Sequence, residues 1–275
     1  MKLTLGIILP FALTLVFTGA IRLGLGAERG ARLAGAAVIA GFLIAWAIVW
    51  RPGWAPAEPF ARIGHIALGA LLMGVLVDAV IRKRFASYVA AVGVVAVSVA
   101  ASVTGTLTPR WPLPTDSLVL IGVLTILALA VLARLDRLRG DTTALLVIAA
   151  MLALAAAAVA AVAHDVPLSV TALMLALSVA AYGVIAALIP LPAGDAIVLG
   201  GGATLLAIVW ALAAAHPGVR PALLLLPLML FADGTARRVP LPKARISAFL
   251  FPVVLAGVAA LPLILAAAVA YVTAP

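Results

Sequence analysis

The sequence has no cysteine, few charged residues and few aromatic ones. Of its 275 residues, 10% are charged and 6% aromatic, whereas 67% are hydrophobic, and the mean hydropathy is +1.33. The lack of cysteine excludes a disulfide framework, a thiolate metal site and a cysteine nucleophile. The small charged fraction excludes a soluble globular domain or a disordered chain, because average soluble domains are about one quarter charged.

Long apolar runs are what the sequence has instead. A membrane-spanning helix needs about 20 consecutive apolar residues, whereas barrel strands alternate apolar and polar residues. The runs here are continuous, which excludes a barrel and predicts an all-α, polytopic integral membrane protein with about ten transmembrane helices in one domain, 1–275. The expected spans are approximately 3–22, 33–50, 63–81, 86–104, 117–134, 144–163, 168–190, 196–214, 220–236 and 247–272.

The basic residues divide unequally between the two sets of loop ends. Because cytoplasmic loops are enriched in Lys and Arg, the side that carries most of the 18 basic residues is predicted to be cytoplasmic and both termini periplasmic. The same rule explains the net charge of +9, so no nucleic-acid partner is expected. The cytoplasmic set is Arg22, Arg29, Arg32, Arg82, Lys83, Arg84, Arg134, Arg137, Arg139, Arg237, Arg238, Lys243 and Arg245; the other is Lys2, Arg51, Arg62, Arg110 and Arg220.

Most of the acidic residues fall on this predicted cytoplasmic side, among them Asp78, Asp136, Asp195 and Asp233. Mg²⁺ favours one or two carboxylates plus substrate phosphates, and cationic clusters near a bilayer surface suit an anionic headgroup. These residues therefore indicate a site for a diphosphate or a lipid phosphate. A simpler interpretation also stands: each Asp offsets a neighbouring Arg, and the basic residues only fix the topology.

Asp195 fits the simpler interpretation least well. Its loop, between the seventh and eighth predicted spans, is the only predicted cytoplasmic loop without Lys or Arg, so we expect Asp195 to have no local partner. Gly194 before it and the glycines at 200–202 permit close approach of a ligand to the backbone, or close packing of membrane helices. The three histidines fall on the opposite side and cannot join the carboxylates; they are His65, His164 and His216.

Four segments carry a resemblance to a known family: Val77–Arg82, Ala133–Gly140, Pro192–Ala196 and Leu226–Arg238. With ten spans and external termini, they resemble the polyprenyl-phosphate N-acetylhexosamine-1-phosphate transferases, which include phospho-N-acetylmuramoyl-pentapeptide transferase. The resemblance implies Mg²⁺-dependent transfer of a sugar-1-phosphate from a UDP-sugar to polyprenyl phosphate. It places this chemistry at the cytoplasmic face of the bacterial inner membrane.

The resemblance also implies roles for individual residues. Asp195, Asp78 and Asp136 take the catalytic positions, with Asp195 holding Mg²⁺, and Asp233 and Gly194 also match the pattern. The phosphate-binding residues would be Arg82, Lys83, Arg84, Arg237 and Arg238. Some relatives form homodimers, but no residue here requires one.

The family's chemical motifs are eroded in this sequence. Ala79 stands where the family has the second Asp of a pair, Arg139 replaces another Asp, and 240–245 contains no His. These losses should weaken binding of Mg²⁺ and UDP, and the charge reversal at Arg137 and Arg139 opposes a metal but favours a phosphate. We therefore favour a divergent or non-catalytic member that acts on or binds polyprenyl phosphate. The alternatives are a non-catalytic membrane subunit of a cell-envelope assembly and, third, a small-solute transporter.

Overall fold

The computed structural model describes residues 2–51, 59–81, 84–104, 115–240 and 246–274, and every regular element in these ranges is helical. The α-helices are α1 (Lys2–Gly24), α2 (Gly26–Leu33), α3 (Ala36–Trp50), α4 (Pro59–Leu76), α5 (Arg84–Thr104), α6 (Thr115–Leu138), α7 (Thr142–Val162), α8 (Val166–Leu188), α9 (Gly202–Ala215), α10 (Arg220–Leu223), α11 (Ala232–Ala236) and α12 (Ile246–Thr273). A π-helical turn, Val77–Ile81, follows α4, and another, Ala196–Gly201, precedes α9.

Several of these helices are suited to a bilayer. Within the described residues, seven helical segments are long and apolar enough to span a membrane, or eight if α2 and α3, which meet at 54°, form one broken span. The prediction of an all-α protein with several membrane-spanning helices is therefore confirmed. The total of about ten spans, the side on which the termini lie and the single domain stay predictions.

The span formed by the second π-helical turn and α9 lies at the centre of the bundle. In that span 78% of the most apolar window is buried, against 22% in the spans of α1 and α12. Helices α4, α5, α7 and α8 pack around α9, while α1 packs on α3 and α8, and α12 on α7. The outer helices expose large apolar side chains such as Ile8, Val16 and Leu261, which is the surface that lipid would cover.

The ninth predicted span is not a continuous helix. Between Pro217 and Ala236 it consists of the 3₁₀ turn Pro217–Val219, α10, a second 3₁₀ segment, Leu226–Phe231, and α11. Proline lacks a backbone N–H and interrupts the α-helical ladder, and both Pro221 and Pro227 lie in this segment. The sequence predicts a kink at Pro227, and the segment is more broken than that.

The polar contacts collect at the two ends of the bundle. One end, which we name the basic end, contains Asp78, Arg139, Asp195, Asp233 and Arg237 and is the end predicted to be cytoplasmic. At the opposite end Asp165 accepts a hydrogen bond from the Leu168 N–H at 2.9 Å and lies 3.0 Å from Nε2 of His216. Asp165 thus caps α8 and ties it to the end of α9.

Arg62 is also at this opposite end, within the first turn of α4. Helix α4 begins at Pro59, so Arg62 is inside it and is buried. Its Nη1 donates to the carbonyl oxygen of Ala101 at 2.9 Å, in the last turn of α5. A cation at a helix C-terminus satisfies free carbonyls and offsets the helix dipole, so Arg62 joins α4 to α5.

Glycine lets α4 touch the second π-helical turn backbone to backbone. A Cβ built on Gly74 would lie 2.6 Å from the Cα of Ala196 and 2.9 Å from its N. Small residues at such positions allow membrane helices to approach closely. This contact fixes the position of α4 along its own axis relative to the loop that contains Asp195.

We predict that Gly74→Ala lowers the free energy of unfolding by about 1–3 kcal/mol, because the added methyl group must push two backbones apart. Gly69→Ala is the matched control, since it lies in the same helix and its Cβ would meet no atom within 4 Å. Thermal unfolding in detergent measures both variants. Equal melting temperatures for the two would contradict the close contact.

Candidate functional site

Two of the predicted catalytic carboxylates meet at Arg139, the residue that follows α6. Nη1 and Nη2 of Arg139 donate to Oδ2 and Oδ1 of Asp195 at 3.2 and 2.7 Å. Nε of the same guanidinium lies 3.2 Å from Oδ1 of Asp136 as an ion pair, although it makes no hydrogen bond. The guanidinium therefore binds the Asp195 carboxylate in a bidentate manner, the geometry in which Arg binds carboxylates best.

The third carboxylate, Asp78, holds the Asp195 loop from the other side. It lies in the π-helical turn after α4, and its Oδ1 and Oδ2 accept hydrogen bonds from the backbone N–H groups of Asp195 and Ala196 at 2.8 and 2.9 Å. These N–H groups begin the second π-helical turn and would otherwise be unsatisfied. A Cβ on Gly194 would come within 2.6 Å of Asp78 Oδ2, so glycine at this position makes the contact possible.

Asp195 has a further partner in Ser87, from the first turn of α5, whose hydroxyl donates to Oδ1. The sequence predicts no partner for Asp195 within its own loop, and both partners found here come from distant parts of the sequence. Its own loop supplies no cation, but the fold brings one from the end of α6. We name Asp78, Ser87, Asp136, Arg139 and Asp195 the Arg139 cluster.

The electrostatics of this cluster keep Arg139 charged. Burial alone lowers the pKa of Arg139, but the hydrogen bond to Asp195 and the negative charges of Asp195, Asp136 and Asp78 outweigh it and raise the pKa above its ordinary value. Asp195 is buried, and an unpaired charge there would be costly. The permanent positive charge of Arg139 is thus the counter-ion of the carboxylates around it.

The residues of the Arg139 cluster do not fit a Mg²⁺ ion in this arrangement. Mg²⁺ demands near-octahedral oxygen ligands and usually one or two free carboxylates. All four carboxylate oxygens of Asp195 and Asp78 already accept hydrogen bonds from the protein. Among the described residues no group of three or more His, Cys, Asp or Glu side chains is placed to hold a metal. A metal at Asp195 would have to displace Arg139.

A second group of ion pairs lies beside the cluster. Nη2 of Arg134 is 2.5 Å from Oδ1 of Asp233, and its Nε donates to the carbonyl oxygen of Leu230 at 3.0 Å. Arg134 also lies over the ring of Phe231, 5.5 Å from its centroid. Arg134 therefore contacts the broken ninth segment in three ways: through the ion pair with Asp233, the hydrogen bond to the Leu230 carbonyl oxygen and a cation–π contact with Phe231.

Arg237 forms the outer member of this group. Its Nη2 donates to Oδ2 of Asp141 at 2.6 Å, while Oδ1 of Asp141 caps α7 by accepting from the Ala144 N–H at 3.0 Å. The side chain of Arg237 is 56% exposed and lies 5.7 Å from the ring centroid of Phe251 in α12. Arg238, which follows it, is exposed.

The structure thus brings most of the predicted site residues to one end. Asp78, Asp136, Asp195 and Gly194 are together, and Asp233, Arg237 and Arg238 lie on the neighbouring segment. Arg82 and Lys83 are outside the described residues, and of Arg84 only the backbone, at the start of α5, is described. Two residues of the site were not predicted from the sequence. No sequence pattern points to Ser87. The two prolines of the ninth predicted span could have suggested that a side chain such as Arg134 is needed to hold that segment.

Comparisons with known proteins add no relative. No protein-family model matches the chain, and no curated protein matches it. The resemblance to the polyprenyl-phosphate transferases therefore stays a prediction from the sequence.

We predict that Asp78→Asn lowers the free energy of unfolding by about 1–3 kcal/mol. One oxygen becomes an NH₂ group that faces a backbone N–H, so a buried donor loses its acceptor. Asp136→Asn is the control, since Asp136 is partly exposed and its ion pair among the described residues is the one with Arg139; its loss should cost less than about 1 kcal/mol. Thermal unfolding in detergent compares the two, and a larger loss for Asp136→Asn would contradict the capping role of Asp78.

Proposed function

We propose that this protein is a divergent, phosphoglycosyl transferase-like membrane protein that binds polyprenyl phosphate at the cytoplasmic face of the bacterial inner membrane without transferring a sugar to it. The observation that carries the proposal is the two-point ion pair between Asp195 and Arg139. The resemblance assigns Asp195 to the metal, but here a guanidinium occupies both of its oxygens. This favours the non-catalytic member over the active transferase.

The binding surface would be the segment from Leu228 to Arg238. Leu228 and Phe231 are exposed on a segment that lipid would contact, and Arg237 and Arg238 are exposed at its end. A polyprenyl phosphate would match this surface in its chemistry, since it joins a long apolar chain to a doubly acidic headgroup. By their place in the sequence, Arg82, Lys83 and Arg84 would add positive charge to the same end.

A ligand phosphate could displace Asp141 from Arg237 at low cost. The ion pair between them is partly solvated, and such pairs contribute little, typically about 0–1 kcal/mol. A phosphate offers three acceptor oxygens and accepts the guanidinium fork in a bidentate manner. Exchange of Asp141 for a phosphate therefore costs little, whereas exchange at the partly buried Arg139 would leave the buried Asp195 without a cation.

The first test is for sugar transfer. Purified protein is incubated with undecaprenyl phosphate, Mg²⁺ and a panel of UDP-sugars, and we expect no release of UMP while an active transferase run in parallel releases it. UMP release that disappears in Asp195→Asn would contradict the non-catalytic proposal and make the protein an enzyme.

The second test is for binding. We expect Arg237→Gln/Arg238→Gln to weaken binding of undecaprenyl phosphate by about tenfold or more, since each charge-assisted hydrogen bond is worth about 1.5–3 kcal/mol. Native mass spectrometry of the protein with undecaprenyl phosphate, and with undecaprenol, which lacks the phosphate, measures this.

The matched control is Arg51→Gln/Arg220→Gln, which removes the same charge from exposed positions at the opposite end. If both double variants bind like the unmodified protein, or if undecaprenol binds equally well, the proposed site is wrong. A non-catalytic subunit of a cell-envelope assembly would then be the better hypothesis, and a stoichiometric partner in a native pulldown its support.

A further inference from the structure

Several carboxylates lie close together at the basic end, and their negative charges must be balanced for the fold to be stable. Asp136 and Asp195 both lie within 3.2 Å of Arg139, and Asp78 holds the two N–H groups that begin at Asp195. Carboxylates so close together repel one another unless a cation lies among them. A site of this kind is commonly held by a divalent metal, yet here the cation is part of the chain.

We propose that Arg139 is a built-in cation that replaces a divalent metal in the Arg139 cluster, so that the cluster assembles without Mg²⁺ and accepts a divalent cation only when the guanidinium is removed.

Three features of the geometry support this inference. The guanidinium binds Asp195 through two nitrogens and faces Asp136 with the third, so one side chain contacts two carboxylates as a metal would. It follows directly on α6, whose end fixes the position of its backbone. Ser87 completes the shell of Asp195, so the carboxylate has no vacant oxygen.

The role of Arg139 also extends to the packing of the bundle. The Arg139 cluster joins the end of α6, the π-helical turn after α4, the first turn of α5 and the start of the central span before α9. A counter-ion at this junction is needed for these four elements to meet. The inference goes beyond the proposed function, because it concerns how the site is held together and is independent of lipid binding.

The test compares two arginines that are two residues apart. Arg139→Gln removes the internal cation, while Arg137→Gln removes the same charge from an exposed position on the last turn of α6. The full-length variants are melted in detergent with EDTA or with millimolar Mg²⁺, and no lipid is present, so the result does not depend on the proposed function.

The unmodified protein and Arg137→Gln should melt at the same temperature in EDTA and in Mg²⁺. Arg139→Gln should melt lower in EDTA by about 5 °C or more, because a buried carboxylate loses its partner, and Mg²⁺ should restore most of that loss. Equal melting of Arg139→Gln and Arg137→Gln in EDTA would overturn the inference.

Electron paramagnetic resonance of added Mn²⁺ gives a direct second readout. Arg139→Gln should bind one Mn²⁺, and Arg139→Gln/Asp195→Asn should not. Mn²⁺ binding by the unmodified protein that disappears in Asp195→Asn would overturn the inference, as would a folded Arg139→Gln that binds no Mn²⁺.

Arg139→Lys covers the case in which Arg139→Gln does not fold. It keeps the positive charge and loses only the fork, so it should fold in EDTA and bind no Mn²⁺. Uptake of Mn²⁺ by Arg139→Lys at the level expected for Arg139→Gln would show that charge is not what excludes the metal, and would overturn the inference.

Discussion

The ion pair between Arg139 and Asp195 is the contact on which the basic end of this protein depends. Asp195 is buried, and a buried carboxylate without a partner is strongly destabilising. The pair therefore obliges the end of α6 to meet the loop before the central span. Asp78 can then satisfy the first N–H groups of that span, and Ser87 brings α5 to the same point.

The charges at this end fall into two classes that differ in availability. Arg139 and Arg134 are partly buried, and each is bound to a carboxylate that has no other cationic partner among the described residues. Arg237 is exposed, and the carboxylate that it binds, Asp141, is partly solvated. Charges that hold helices together can thus be separated by burial from exposed charges, and the proposed lipid-phosphate surface uses only the exposed ones.

The sequence predicts the membrane helices and the end at which the carboxylates gather, because apolar runs and charge bias are local signals. It does not predict the partner of Asp195, which lies 56 residues away in Arg139 and 108 residues away in Ser87. Nor does it predict the partner of Arg62, whose Nη1 donates to a carbonyl oxygen on another helix. The broken ninth segment is foreseen only in part, because Pro221 and Pro227 mark where a helix fails but not which 3₁₀ turns replace it.

Two of the differences between this sequence and the pattern that it resembles change the charge at the basic end. A divalent metal balances about two carboxylates, and a single guanidinium balances one. Relative to the pattern that the sequence resembles, Ala79 removes one carboxylate, and Arg139 removes a second while adding a cation. Ala79 is exposed, so a carboxylate at that position would not lie among the buried groups, whereas Arg139 supplies a cation to Asp195 and Asp136 from within the chain. The change at Arg139 is therefore the departure that bears on the buried carboxylates, because an unpaired charge at Asp195 would be costly.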